Sequence, residues 1–306
     1  MPVQSKLLSI PADIHYLLLS ILPDFRDLAA LILTHRCFYG VFKTGEKTLL
    51  EAVARNFLGA FYDEAVALAY EKRPSHRRRK RRSTPLTSKI ARSIKRSNHV
   101  LESLERIVYG LLKTDKHLYL QDPYNYIGEK TLGENFAELA SFTFTAIPSF
   151  EESLKMTAAG YRIWRFTLLH ETEHVPFLMK LPLSELLELN HYVSGLVKLI
   201  WAMLGEGGSH HDADYVQGVL ATGPWNILRR WNALLEGDME EFYEGPYGEH
   251  YEGFFTSALF EVMDRKQLGS TDLYAYKSIF DGDKETRELL RNLAAKENGV
   301  DVETDA

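Results

Sequence analysis

Residues 100–112 read VLESLERIVYGLL. Apolar side chains fall at Val100, Leu101, Leu104, Ile107, Val108, Leu111 and Leu112. Steps of three and four residues bring all seven to one face of an α-helix, and no strand pairing would bury them together. The same period governs most of the chain that follows. Ser149-Phe-Glu-Glu152 is an S-x-x-E capping box and predicts a helix with a stripe at Leu154, Ala158, Tyr161, Trp164 and Leu168. A second long stripe runs through Leu183, Leu186, Leu187, Val193, Val197, Ile200 and Leu204, and Gly205 ends it. Further helices are expected near 224–236, 251–265 and 271–280. A last one runs from Asp283 as N-cap to the Asn298-Gly299 stop. Leu139–Ile147 is the best strand candidate, but no alternating run is flanked by hairpin turns. The fold class that follows is all-α.

The chain has 306 residues, 45% of them hydrophobic and 25% charged, the balance of a folded globular protein. Its one cysteine, Cys37, excludes an intrachain disulfide and a thiolate metal cluster, which suits a reducing cytoplasmic or nuclear setting. The N-terminus does not read as a signal peptide, and no apolar run is long enough to span a bilayer, so no membrane is expected. Net charge is −6, unevenly spread. Between Lys72 and Arg96 there are 12 Lys or Arg and no Asp or Glu, leaving 36 − 12 = 24 basic against 42 acidic residues elsewhere. The body is acidic and would repel nucleic acid, so any such contact is confined to the basic stretch. No aromatic residue is interleaved there for base stacking, and no specific nucleic-acid recognition is expected.

These features divide the chain into an N-terminal helical unit (1–46), a connecting helix (47–72, with a break possible at Gly59) and a basic flexible linker (73–88). A C-terminal helical domain (89–299) and an acidic tail (300–306) follow. Within the linker, Arg77, Arg78, Arg79, Lys80, Arg81 and Arg82 form a polybasic run, a candidate for nuclear import.

The N-terminal unit reads, over 7–45, LLSIPADIHYLLLSILPDFRDLAALILTHRCFYGVFKTG. Pro11 suits a helix start, Asp13 complements the helix dipole, and Pro23-Asp24 closes the first helix. Ile14, Leu17, Leu18, Ile21 and Leu22, then Leu28, Leu31, Ile32 and Phe38, supply more apolar side chains than three short helices can hide. Some must pack on the rest of the chain or on a partner. The order Ile10-Pro11-x-Asp13-Ile14, Ile21-Leu22, Asp27-Leu28-x-x-Leu31, Thr34, then Arg36-x-Phe38-Tyr39 and Phe42-Lys43, resembles an F-box of the fungal type. Ile10 stands where that family has Leu, Asp13 where it has Glu, and His35 where Cys is common; the family's late Trp is absent.

The resemblance covers about 40 residues and implies an F-box-like three-helix unit. It implies binding to the Skp-type linker subunit of a cullin–RING ubiquitin ligase, with the C-terminal domain recruiting an unknown protein target. By position, Ile10, Pro11, Ile14, Leu18, Ile21, Leu22, Leu28 and Leu31 would make the partner contacts. No cofactor and no catalysis are expected on this reading. A second alternative is a helical scaffold whose N-terminal helices pack on their own body, which would bury Ile14 and Leu18.

Catalysis has one candidate. His170-Glu171-Thr172-Glu173-His174 is an H-E-x-x-H sequence. On a helix, His170 and His174 would share a face and bind zinc while Glu171 activated a metal-bound water, giving a zinc hydrolase as the alternative function. Pro176 is expected to end or kink that helix, and a third ligand would have to be Glu185, Glu188 or His191. The Gly205–Asp214 segment, with His210 and His211, reads as a loop entering a helix. Trp164, Trp201, Trp225 and Trp231 read as core, with room for one of Trp225 and Trp231 to be exposed. The aromatic and acidic stretch Glu236–Tyr251 is the target-binding candidate.

Overall fold

The computed structural model describes residues 10–72, 86–113, 147–204, 212–238, 240 and 254–266. The protein is all-α, and no strand occurs among these residues. The expected strand at 139–147 apart from Ile147, the expected helices at 271–280 and beyond 283, and residues 205–211 lie outside them, as does all but a fragment of Glu236–Tyr251. Two compact units are formed, Met1–His99 and Val100–Ala306.

The first unit contains α1 (Ala12–Ser20), α2 (Phe25–Thr34), α3 (Arg36–Leu58), a 3-10 turn (Gly59–Phe61), α4 (Tyr62–Glu71) and the start of α5 (Ser88–Lys113). Each boundary has a local cause. Pro11 is the N-cap of α1. Asp24 caps α2 by accepting from the backbone N–H groups of Arg26 and Asp27, at 2.5 and 2.8 Å. His35 caps α3, its Nδ1 accepting from Cys37 N at 3.1 Å. Gly59, at φ +52°, breaks the chain between α3 and α4 where the sequence suggests a break.

The connecting helix expected at 47–72 instead begins at Arg36, and the division expected at 46 falls inside it. One departure from helical geometry marks the place, Gly45, at φ −113° and ψ 21°. Of the expected linker, Leu86 is buried, and Ser88 opens α5 by donating to Glu46 Oε1 at 2.7 Å. That bond holds the Glu46 carboxyl below its usual range.

The second unit contains the rest of α5 with α6 (Phe150–Phe166), α7 (Glu171–Met179), α8 (Leu183–Leu204), α9 (Asp212–Ala221), α10 (Pro224–Glu236) and α11 (Phe254–Arg265). The capping box at the start of α6 is formed as the sequence implies. Ser149 Oγ accepts from Glu152 N, and Glu152 Oε2 accepts from Ser149 N at 2.8 Å. Helices α6 and α8 pack together at the centre, with α9 and α10 against α8, α10 against α6, and α11 against α7 and α9. The stripe of α5 is buried from Val100 to Leu111, as expected. Central α6 is buried on more sides than one stripe supplies, including Met156, Ala159, Ile163 and Phe166.

Close helix approach depends on two glycines. A Cβ on Gly160 of α6 would lie 2.8 Å from Leu101 Cδ2, and one on Gly195 of α8 would lie 2.5 Å from Val108 Cγ1. Polar groups are paired at the same junction. Thr157 donates to Glu105 Oε2 at 2.8 Å, and Arg162 meets Glu185 at 3.0 Å. Burial pushes the Glu105 carboxyl above its usual range, against hydrogen bonds from Ser153 and Thr157.

Val108 is β-branched and stiff, so Gly195→Ala should destabilise the protein by about 1–3 kcal/mol through overpacking. Gly40 lies in α3 with nothing within 4 Å of its would-be Cβ. Gly40→Ala should therefore stabilise by about 0.5–1 kcal/mol. Urea unfolding of the two variants beside wild type checks both signs.

Candidate docking face on the first helix

Helix α1 carries apolar residues all round, and only one side meets its own fold. His15 and Leu19, one turn apart, face inward and are buried. The His15 ring stands edge-on to Phe38 with centroids 4.8 Å apart. Ile14, Leu17 and Ile21 follow the i, i+3, i+7 spacing of the opposite face and are 44%, 55% and 62% exposed. Leu18 in α1, and Ile10 and Leu22 flanking it, are half-buried. On α2, Leu33 is 81% exposed, and Tyr39 at the start of α3 is also exposed.

The outward face is held firmly from behind. Tyr16 donates to Thr48 Oγ1 at 2.6 Å, and its ring lies where a Cβ on Gly45 would be, 2.5 Å from Cε2. Only glycine at 45 lets α3 pass this ring, and the helical irregularity of α3 falls at the same residue. At the other end of α1, Asn56 Nδ2 donates to the carbonyls of Ser20 and Leu22 at 2.8 and 3.0 Å. These are carbonyls that a helix end leaves without intrahelical partners. The turn into α2 is held by Phe25 against Phe57, centroids 5.8 Å apart. A surface braced this way loses little freedom when a partner covers it.

The eight expected contact residues do not share one environment. Pro11, Ile14 and Ile21 are exposed; Ile10, Leu18, Leu22 and Leu31 are half-buried. Leu28 is 3% exposed and belongs to the interior of the unit, where α2 packs on α3. Leu17 and Leu33 offer more apolar surface than most of the eight. Leu17 was visible on the apolar face of α1, but sequence periodicity alone does not show which part of a wide apolar face points outward.

The H-E-x-x-H sequence adopts a different geometry from the one its spacing suggests. His170 is not helical. It is the extended N-cap of α7, its Nδ1 accepting from Thr172 N at 3.4 Å, while Glu173 Oε2 accepts from His170 N at 3.3 Å. The motif is thus a capping box with His in the place of Ser. His170 is exposed; His174 is buried, stacked on Phe166 at 4.1 Å between centroids and edge-on to Phe254 at 5.1 Å. Glu185 is committed to Arg162. Among the described residues no group of three His, Cys, Asp or Glu is placed to hold a metal ion. Pro176 neither ends nor divides α7, which continues to Met179. Proline forfeits one hydrogen bond there, and burial of His174 and Leu178 on either side of it holds the two turns in line.

Of the tryptophans, Trp164 and Trp231 are buried and Trp225 is exposed; the Trp201 side chain lies outside the described residues. The polybasic run Arg77–Arg82 lies outside them also. No described helix is long and apolar enough to cross a membrane. Comparison with family models, with curated proteins and with solved structures finds no match to this chain.

Burial pushes the His174 imidazole below its ordinary range, against opposing hydrogen bonds to the Leu169 and Phe166 backbone. A depressed folded value means that His174 contributes stability above its unfolded pKa of about 6.5, lost as pH falls through the folded value. The urea midpoint should therefore drop between pH 7.5 and pH 5 by more in wild type than in His174→Leu. Equal drops would remove His174 as a source of the acid sensitivity.

Proposed function

We propose that this chain is a protein-interaction adaptor. Its F-box-like helices α1–α3 dock on the Skp-type linker subunit of a cullin–RING ubiquitin ligase, and the unit from Val100 onward recruits a protein target. The outward face of α1 is the observation that carries this reading. A helix that keeps Ile14, Leu17 and Ile21 exposed in its own chain, while its other side is anchored, is built to be covered by something else. Anchors at helical spacing suit insertion into an apolar groove. The scaffold alternative needs Ile14 and Leu18 buried within the chain; Ile14 is exposed and Leu18 is half-buried. The zinc hydrolase alternative needs His170 and His174 on one helix face, and His170 is an N-cap pointing elsewhere.

Leu17 and Ile21 are exposed, so replacing them leaves the interior intact. Leu17→Asp/Ile21→Asp should weaken binding to purified linker subunit at least 30-fold, about 2 kcal/mol for loss of one interface anchor. Circular dichroism and the urea midpoint should stay at wild-type values. Titration calorimetry with both proteins full-length measures this. No binding by well-folded wild type would defeat the adaptor reading.

A further inference from the structure

The exposed face of α5 in the first unit is unlike the other described surfaces. Lys89, Arg92, Lys95 and Arg96 all point to solvent, while Ile90, Ala91, Ile94 and Ser97 are buried beneath them. At 100° per residue the four cations occupy roughly a third of the helix circumference. None forms an ion pair with a described residue. Elsewhere Lys43 pairs with Glu46, Arg55 with Glu51, Lys155 with Glu151 and Arg265 with Glu261, each one turn away on the same helix. On α5 the positions one turn from these cations hold no acid. They place Arg92 one turn from each of Lys89, Lys95 and Arg96.

Such an arrangement costs folding energy. Like charges at i, i+3 or i, i+4 each destabilise a helix by about 0.2–0.5 kcal/mol. Lys89 stands in the first turn, where the helix dipole favours anions, and that turn contains no acid. An anion laid along this face would relieve both penalties.

We propose that Lys89, Arg92, Lys95 and Arg96 bind the phosphodiester backbone of duplex nucleic acid, without reading its sequence. Four cations over about 10 Å of helix give one charge per ~3 Å. That matches a linear polyanion carrying one phosphate per ~1.7 Å of duplex axis, or ~3.4 Å per strand. The face has no Phe, Tyr or Trp to stack on a base and no apolar residue to enter a bilayer, so the features favour neither single-strand stacking nor membrane insertion. Charge alone acts, and charge alone reads backbone rather than base edges. Outside the basic stretch from Lys72 to Arg96 the sequence is acidic and disfavours such a contact.

The test uses the full-length protein and two fluorescein-labelled DNA duplexes of unrelated sequence, with anisotropy followed as salt rises from about 50 mM. Wild type should bind both duplexes equally. The variant Lys89→Gln/Arg92→Gln/Lys95→Gln/Arg96→Gln should lower the slope of log K against log salt by about 3 to 4, from ~0.9 per lost phosphate contact. It should melt no lower than wild type, because the repulsion is removed, and should keep its binding to the linker subunit. An unchanged slope, no binding at the lowest salt, or a tenfold preference for one duplex would each overturn the proposal. So would competition by phosphatidylserine vesicles at lower phosphate concentration than unlabelled duplex, which would assign the face to a membrane surface.

Discussion

Close approach of helices at glycine is the constraint on which both units depend. In the first unit the Tyr16 ring occupies the space a side chain at position 45 would need, and α1 sits on α3 through that gap. In the second, α5 comes close to α6 at Gly160 and to α8 at Gly195. Interiors packed at crystal-like density tolerate few voids and few intrusions, so a missing Cβ at a crossing point sets how near the helices can lie. The distance so fixed then decides which neighbours meet. Thr157 reaches Glu105 because α5 and α6 are close, and Tyr16 reaches Thr48 because α3 yields at Gly45.

The same bracing gives α1 its character. A helix with apolar residues on all sides would ordinarily be central, and α1 is peripheral. Its inner side is fixed by His15, Tyr16 and Leu19 and by the Asn56 side chain beneath its C-terminus. Its outer side is thereby held in place and uncovered. Bracing and exposure together distinguish this face from scattered surface leucines, which need no explanation. Basic α5 shows the corresponding feature in charge. Its buried face obeys the apolar pattern, and its outer face accumulates repulsion that nothing within the described chain relieves.

Much of this was legible in the sequence because it is encoded locally. The stripe of α5, the capping box at Ser149, the helix break at Gly59 and the limits of α10 at 224 and 236 each follow from a few adjacent residues. Other features are not settled by local pattern. H-E-x-x-H has the spacing of two ligands on a helix, but spacing does not say where the helix starts. His170 Nδ1 accepts from Thr172 N and Glu173 Oε2 accepts from His170 N, and that reciprocal cap places the start one residue after the first His. Pro176 looked like a terminator because its local cost is real, and packing on both sides outweighs it.

The secondary structure class, most helix positions, the charge segregation and the apolar excess of the N-terminal unit were all written in the order of residues. These depend on period, caps and composition, which are properties of neighbours along the chain. Only the tertiary fold places Leu28 in the interior while Leu17 and Ile21 face out, sets His174 among Phe166 and Phe254, and leaves Lys89, Arg92, Lys95 and Arg96 without an ion pair among the described residues. A helix face has no inside until another helix covers part of it. A side chain's exposure, partners and protonation are set by groups far away in sequence, brought near only when the chain folds.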